Sequence, residues 1–288
     1  MASILRVQPV RLTIFAAALM LISTPARAQQ TQVSDDLVSV PFNLDFHNAY
    51  LFRGVRQDDT GLITWPSAEV GVRLHSGDSG LTLARASVGT WNSLHSGWTG
   101  SDGPSGKRWY ESDVYTTLSL GFNNAATLNT TFTLYRSPNE MFTTVKELSV
   151  AAVVERPVVG LALMPYALAA FELDTEPGIG QLDGGFKAGK YLEVGATPGH
   201  AIRRISVAVP VKVGLSLGNY YELAGNDHRF GFVSVAGVVT VPIIRSTRGK
   251  SVNVHGGVEF QRLGETTKTF NGGDASKTIA SAGIGFSR

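Results

Sequence analysis

The chain of 288 residues contains no cysteine. That absence excludes a disulfide framework, thiolate catalysis and cysteine-ligated metal. After the first two dozen residues it also lacks any long uninterrupted apolar run. No later segment reaches the roughly 20 residues that a membrane-crossing helix needs. Equally scarce is the 3.6-residue spacing of an amphipathic helix. Its six histidines, at 47, 75, 95, 200, 228 and 255, are scattered with no pair at metal-ligand spacing, and no cofactor motif is present, so no metal or cofactor is expected. Internal repeats and low-complexity linkers are missing too, and a single folded unit follows.

The first 28 residues have the build of a secretory signal. Arg6 and Arg11 precede an uncharged run from Leu12 to Ser23, followed by Pro25 and the small-x-small triplet Ala26-Arg27-Ala28. Cleavage is expected before Gln29, leaving 29–37 as a short periplasmic segment and 38–288 as the folded domain. The signal holds three of the 25 basic residues and no acid, so the remainder carries 22 basic against 23 acidic residues. A nearly neutral chain loses the electrostatic basis for binding nucleic acid, and none is expected as a partner.

What the chain has in place of helices is two-residue alternation, from Val40 to Phe286. Ile205, Val207, Val209, Val211, Val213, Leu215 and Leu217 share one parity, with Ser206, Lys212 and Ser216 on the other. Val114, Leu118, Leu120 and Phe122 oppose Glu111, Asp113, Tyr115, Thr117 and Ser119 in the same way. About twelve such runs can be counted, many reaching the 9 to 11 residues of a tilted transmembrane strand. Two of them, 81–91 and 161–172, have ambiguous parity. Connections alternate between tight ones (His75–Gly80, Asn123–Ala126, Glu155–Gly160, Thr197–Ala201) and longer ones (Asn92–Lys107, Asp174–Gly184, Asn219–His228, Gly264–Lys277). The sequence therefore predicts an all-β fold: a single transmembrane, antiparallel, up-and-down β-barrel in the outer membrane, long loops extracellular and short turns periplasmic.

Alternation also assigns faces. Tyr50, Phe52, Trp65, Trp91, Trp109, Tyr110, Tyr135, Phe171, Tyr220 and Tyr221 fall near the outer ends of their strands and are expected to form an aromatic girdle at the headgroups. Arg53, Glu69, Arg73, Glu111, Asp113, Lys187, Glu193, Arg204, Lys212 and Glu259 are expected to line the lumen. Both signs of charge are present, which argues against a path selective for one of them. The same residues could instead cross-link into a plug.

The run Tyr50-Leu51-Phe52-Arg53-Gly54 resembles the signature of the TorF-type porins, outer-membrane proteins of poorly defined substrate. Gly89-Thr90-Trp91 and Glu111-Ser112-Asp113 with Tyr115 look like that family's next landmarks. The resemblance covers the first four strands, about a third of the chain, and implies a β-barrel pore.

Expected partners are outer-membrane lipid and lipopolysaccharide, the barrel-assembly machinery and small polar solutes. The chain departs from the common aromatic ending of such barrels, since Phe286 is followed by Ser287 and Arg288. Three functions stay open: a channel for passive diffusion of small polar solutes with weak charge selectivity, a closed structural or surface-binding barrel, and a lipid-modifying enzyme. The last would rest on Ser93 and His95 in the long loop near Asp102, whose spacing matches no hydrolase motif, and an enzyme is not expected.

Overall fold

The computed structural model describes residues 37–97, 108–123, 125–155, 163–173, 187–245 and 250–287. The expected signal, most of the segment 29–37, Asp102 with its loop, the connection 174–184 and Arg288 lie outside the described residues.

Twelve antiparallel strands close on themselves. They are β1 (Val38–Ser39 and Phe42–His47), β2 (Ile63–Ser76), β3 (Leu81–His95), β4 (Trp109–Phe122), β5 (Ala126–Arg136) and β6 (Val145–Val154). The ring continues with β7 (Tyr166–Glu172), β8 (Lys190–Ala196, resuming at Gly199–Ile202) and β9 (Ile205–Ala208 and Val211–Gly218). It ends with β10 (Phe230–Arg245), β11 (Ser251–Leu263) and β12 (Ser276–Ser287). Each strand pairs with its sequence neighbour. β12 pairs back onto β1, from Ser281 opposite His47 to Phe286 opposite Phe42, so the sheet keeps no open edge.

Alternation produces two faces of opposite character. Along β4, Val114 and Leu118 are exposed on the outer face while Glu111, Asp113, Tyr115, Thr117 and Ser119 are buried on the inner one. The outer face is apolar all round, with Val70, Val72, Leu74, Val88, Val194, Leu217, Val239 and Ile284 exposed. The ambiguous parity of β3 has a physical cause. Register shifts interrupt the pairing between Arg73 and His75 on β2 and between Leu81 and Leu83 on β3, and the consecutive residues Ala84 and Arg85 are both buried there. In β9 the ladder breaks at Val209–Pro210, because proline has no N–H to give, and resumes at Val211 with the same outward parity.

Inside the wall, aromatic rings lie over glycines of the neighbouring strand. Tyr115 stands opposite Gly89, Tyr166 opposite Gly195 and Phe232 opposite Gly214. A Cβ at Gly89 would fall 2.3 Å from Tyr115 Cζ, so only glycine lets the ring lie flat on the sheet. The hydroxyls then reach interior carboxylates: Tyr166 donates to Glu193 at 2.6 Å, and so does Tyr191 at 2.8 Å.

The first strand is shorter than the sequence predicts. It ends at His47, and the chain from Ala49 to Asp58 turns away from the wall as a separate two-stranded hairpin, Tyr50–Phe52 against Val55–Asp58. That hairpin is fully enclosed at its tip and defines the site.

Candidate functional site

Ala49, Leu51, Tyr50 and Phe52 are apolar on both parities, which an ordinary one-sided strand does not need. Each parity here has its own apolar surroundings. Ala49 and Leu51 pack with Tyr191, Tyr220, Tyr221, Phe232 and Leu263. Tyr50 and Phe52 pack with Ile63, Trp65, Tyr110, Tyr135 and Val145, with Trp91 and Phe142 against them. A strand buried on both faces reads as a continuous apolar run, and this four-residue run is such a case.

The hairpin turns on Arg53 and Gly54, whose φ values of 47° and 84° are both positive. Two positive φ angles in a two-residue hairpin loop are the mark of a type I′ turn, a position that favours glycine, asparagine and aspartate. Arginine there costs on the order of 1 kcal/mol in backbone strain. Its side chain offsets that cost. Nη1 and Nη2 of Arg53 donate to the two carboxylate oxygens of Glu147 on β6 at 2.7 and 2.9 Å. Nη1 also donates to the Tyr220 hydroxyl at 2.9 Å, and the guanidinium carbon lies 4.1 Å from the centre of the Tyr191 ring. Tyr135 donates to Glu147 Oε1 at 3.1 Å, and Tyr221 donates to the Arg53 carbonyl at 2.9 Å. A buried ion pair of this kind is tolerable only where the fork geometry is good and the remaining lone pairs are satisfied. The fork geometry and the Glu147 oxygens meet these conditions, while the buried Arg53 Nε has no hydrogen-bond partner among the described residues, and Arg53 is 0% exposed.

Further along, Asn271 acts as a clasp. It sits just after the short helix Glu265–Phe270, its amide donates to the Gly54 carbonyl at 2.9 Å, and its Oδ1 accepts from the Arg56 N–H at 2.7 Å. At the base, Asp58 Oδ2 lies 2.9 Å from His95 Nδ1, and His95 Nε2 lies 2.7 Å from Ser93 Oγ. Burial raises the Asp58 carboxyl, but hydrogen bonds from His95 and Thr60 outweigh it and hold the group below its ordinary value of 3.8. Asp59 is also held low, chiefly by the hydrogen bond from Lys277 at 2.6 Å.

Ser93, His95 and Asp58 form a chain of the order found in serine hydrolases. The sequence places Ser93 and His95 in a loop beside Asp102; the structure puts both on β3, with Asp58 of the hairpin as their acid. Trp65 Nε1 donates to Ser93 Oγ at 2.9 Å, and both Ser93 and His95 are enclosed, at 0% and 1% exposure. In this arrangement the chain of three fastens the hairpin base to the wall.

The expected girdle needs correction. Tyr50, Phe52, Trp65, Tyr110, Tyr135, Tyr220 and Tyr221 are buried inside the barrel, and Trp91 is partly buried against them. Only Trp109 and Phe171 of that set are exposed. The reason is the hairpin: an apolar insert in the lumen needs aromatic surroundings, and the loop-side ends of the strands turn their rings toward it. Exposed rings nevertheless occur at both ends of the wall, Phe230 and Phe260 towards the long loops, Phe42, Phe122 and Phe286 towards the turns.

Of the residues expected to line the lumen, Glu69, Glu111, Asp113, Glu193, Lys212 and Glu259 are buried on inward faces, and Arg53 is buried on the inserted hairpin. Arg73 is half-buried on β2 beside the tight turn, at the far end of the barrel from Arg53, so the two do not meet. Lys187, ahead of β8, and Arg204, in the turn between Ile202 and Ile205, are exposed and line nothing. Tyr50 donates to Glu111 at 2.7 Å, and Lys212 Nζ lies 3.7 Å from Glu259. Glu147, the partner of Arg53, is missing from the expected set. Its parity with Ser149, opposite Leu148 and Val150, was the available signal.

Together these features define the class: a closed twelve-stranded antiparallel barrel with an apolar exterior, a polar interior and a hairpin folded into the lumen. No family model and no curated relative matches the chain. Among solved structures it is similar to the NanC porin, at 11% identity and a TM-score of 0.44 over 86% of this chain and 98% of that one. The translocator domain of the autotransporter NalP from Neisseria meningitidis gives 11% identity and a TM-score of 0.46, covering 89% of each chain. An outer membrane channel from Pseudomonas putida F1 gives 10% and 0.46, covering 87% and 94%. Likeness at this level leaves the function to this barrel's own residues.

Proposed function

We propose that the chain is an outer-membrane channel for small polar solutes, narrowed by its own hairpin. The observation that carries this reading is the pairing of an apolar outer face with a polar, charged inner one around a sheet that has no edge. In lipid every backbone polar group must be satisfied within the structure, and a closed barrel does so. A contiguous apolar exterior of this extent is costly in water and favourable in a bilayer. The long loops face outward and the tight turns inward, with outer-membrane lipid and lipopolysaccharide around the wall and the barrel-assembly machinery as the route of insertion. The TorF-type resemblance fits this reading.

Conduction depends on the hairpin, because non-covalent contacts alone hold it in the lumen, among them apolar packing on both faces, the ion pair at the tip, the Asn271 clasp, and the His95 and Lys277 contacts at the base. Charge selectivity is weak while it is docked. Interior acids, Glu69, Glu111, Asp113, Glu147, Glu193 and Glu259, outnumber Arg53, Arg85 and Lys212, so an opened lumen leans toward cations. We assign no catalysis to Ser93, since its hydroxyl is engaged by Trp65 and enclosed.

Planar-bilayer recording tests the proposal. The wild type should give small or intermittent conductance, and shortening the hairpin by replacing Leu51–Arg56 with a tight turn should raise it several-fold. A heat-modifiable, folded barrel that stays silent after shortening would make the closed structural barrel the better account.

A further inference from the structure

The surroundings of Arg53 have the composition of a ligand site. Glu147 offers its two carboxylate oxygens to the two Nη atoms, Tyr220 offers a hydroxyl acceptor, and the guanidinium carbon lies over the Tyr191 ring at 4.1 Å and over the Tyr220 ring at 5.1 Å. These groups come from β6, β8 and the 219–229 loop, and the only part of the arrangement that belongs to the hairpin is the cation itself with Phe52 beside it. A bidentate carboxylate edge combined with an aromatic face selects a planar, delocalised cation over a compact ammonium. The turn position that delivers the cation has positive φ and favours glycine or asparagine, yet carries arginine.

Resting on the channel reading, we propose that the Glu147–Tyr191–Tyr220 pocket is a guanidinium-recognition site of the lumen, that Arg53 occupies it as a tethered ligand, and that the solutes favoured by the open channel are small guanidinium-type cations. Tethering gives Arg53 an effective concentration in the millimolar range or above, so a free cation competes poorly with it in the intact protein. Removing the Arg53 side chain vacates the site, which a small cation reaches as the hairpin loosens. The opened pocket keeps its acid, its hydroxyl and its stacking face on elements other than the hairpin.

Chemical complementation of purified Arg53→Ala in detergent is the test, read as the temperature at which the barrel loses its compact, heat-modifiable form. N-Ethylguanidinium in the millimolar range should raise that temperature saturably, propylammonium should act at least about tenfold more weakly, and neutral N-methylurea should do nothing. The response should disappear in Arg53→Ala/Glu147→Gln and should be absent from the wild type at the same concentrations. If Arg53→Ala folds poorly alone, the yield of heat-modifiable barrel on refolding with each compound reads the same site. Equal responses to guanidinium and ammonium, a response surviving Glu147→Gln, or no saturable response would overturn the proposal. Bilayer recording separates the two readings. Saturable binding without conductance keeps the pocket and removes the channel, whereas conductance indifferent to N-ethylguanidinium keeps the channel and removes the pocket.

Discussion

The wall and the hairpin are built from the same residue types and solve burial in opposite ways. In β4 the apolar side chains point out and the acids Glu111 and Asp113 point in, so each residue has one environment and alternation describes it completely. In the hairpin Ala49, Tyr50, Leu51 and Phe52 all point into protein, and Arg53, at the turn, is fully buried with them. The wall is stabilised by a closed ladder that continues past any single residue. The hairpin ladder is short, and its docking depends on a few specific contacts. Damage to the wall should therefore show as loss of the barrel, and damage to the hairpin as loss of docking within an intact barrel.

The largest effect on that contrast is expected from Glu147→Gln. Breaking one side of a buried, forked ion pair leaves Arg53 uncompensated and should cost about 3–5 kcal/mol. Because the loss falls on docking, the barrel should stay heat-modifiable while a cysteine introduced at Val55 becomes reactive to maleimide, a clean probe in a chain with no cysteine of its own. Loss of the barrel itself would mean that hairpin and wall fold as one unit.

Val239→Arg probes the other side. Val239 is 44% exposed on the outer face of β10, and a cation at the bilayer midplane costs roughly 2–4 kcal/mol. Folding into vesicles should suffer while the Val55 probe in the folded fraction stays protected. A neutral outcome would remove the membrane meaning of the outer face.

Asn271→Ala deletes two hydrogen bonds to the hairpin backbone, to Gly54 and from Arg56, and should weaken docking by about 1–3 kcal/mol. Unchanged maleimide reactivity would place the grip wholly at the tip.

The smallest effect is that of pH on the base. Asp58 is held below 3.8 in the folded protein, so its contribution is present above the unfolded value and is lost as pH falls through the lower folded one. Docking should be unchanged from neutral pH down to about 4 and loosen only in stronger acid, and Asp58→Asn should reduce that acid step to the part that Asp59 contributes. An acid step at higher pH would point to a different group.

Much of the wall was legible because its physics is local. The period of two follows from strand geometry, and the number and length of the runs follow from turns rich in glycine, proline and asparagine. The breaks in legibility are local too: the bulges near Arg73 and Leu81 depend on how neighbouring strands share a register. The girdle misreading has a different origin. A ring near a strand end can face lipid or lumen, and Trp65 and Tyr135 face the lumen because the hairpin is there to be packed against. The one sign of this in the sequence was the two-sided apolar run Ala49–Phe52. Glu147 was readable from parity, but nothing in its neighbourhood indicated that a residue 94 positions earlier would complete it.

By itself, then, the sequence determined a twelve-strand alternating chain with an apolar side and a polar side, since burial on one face imposes that pattern residue by residue. Only the tertiary structure decided that the chain from Ala49 to Asp58 folds inward and that Arg53 meets Glu147. It also decided that Ser93, His95 and Asp58 serve as a fastening, because these contacts join residues distant in sequence whose partners are set by barrel closure.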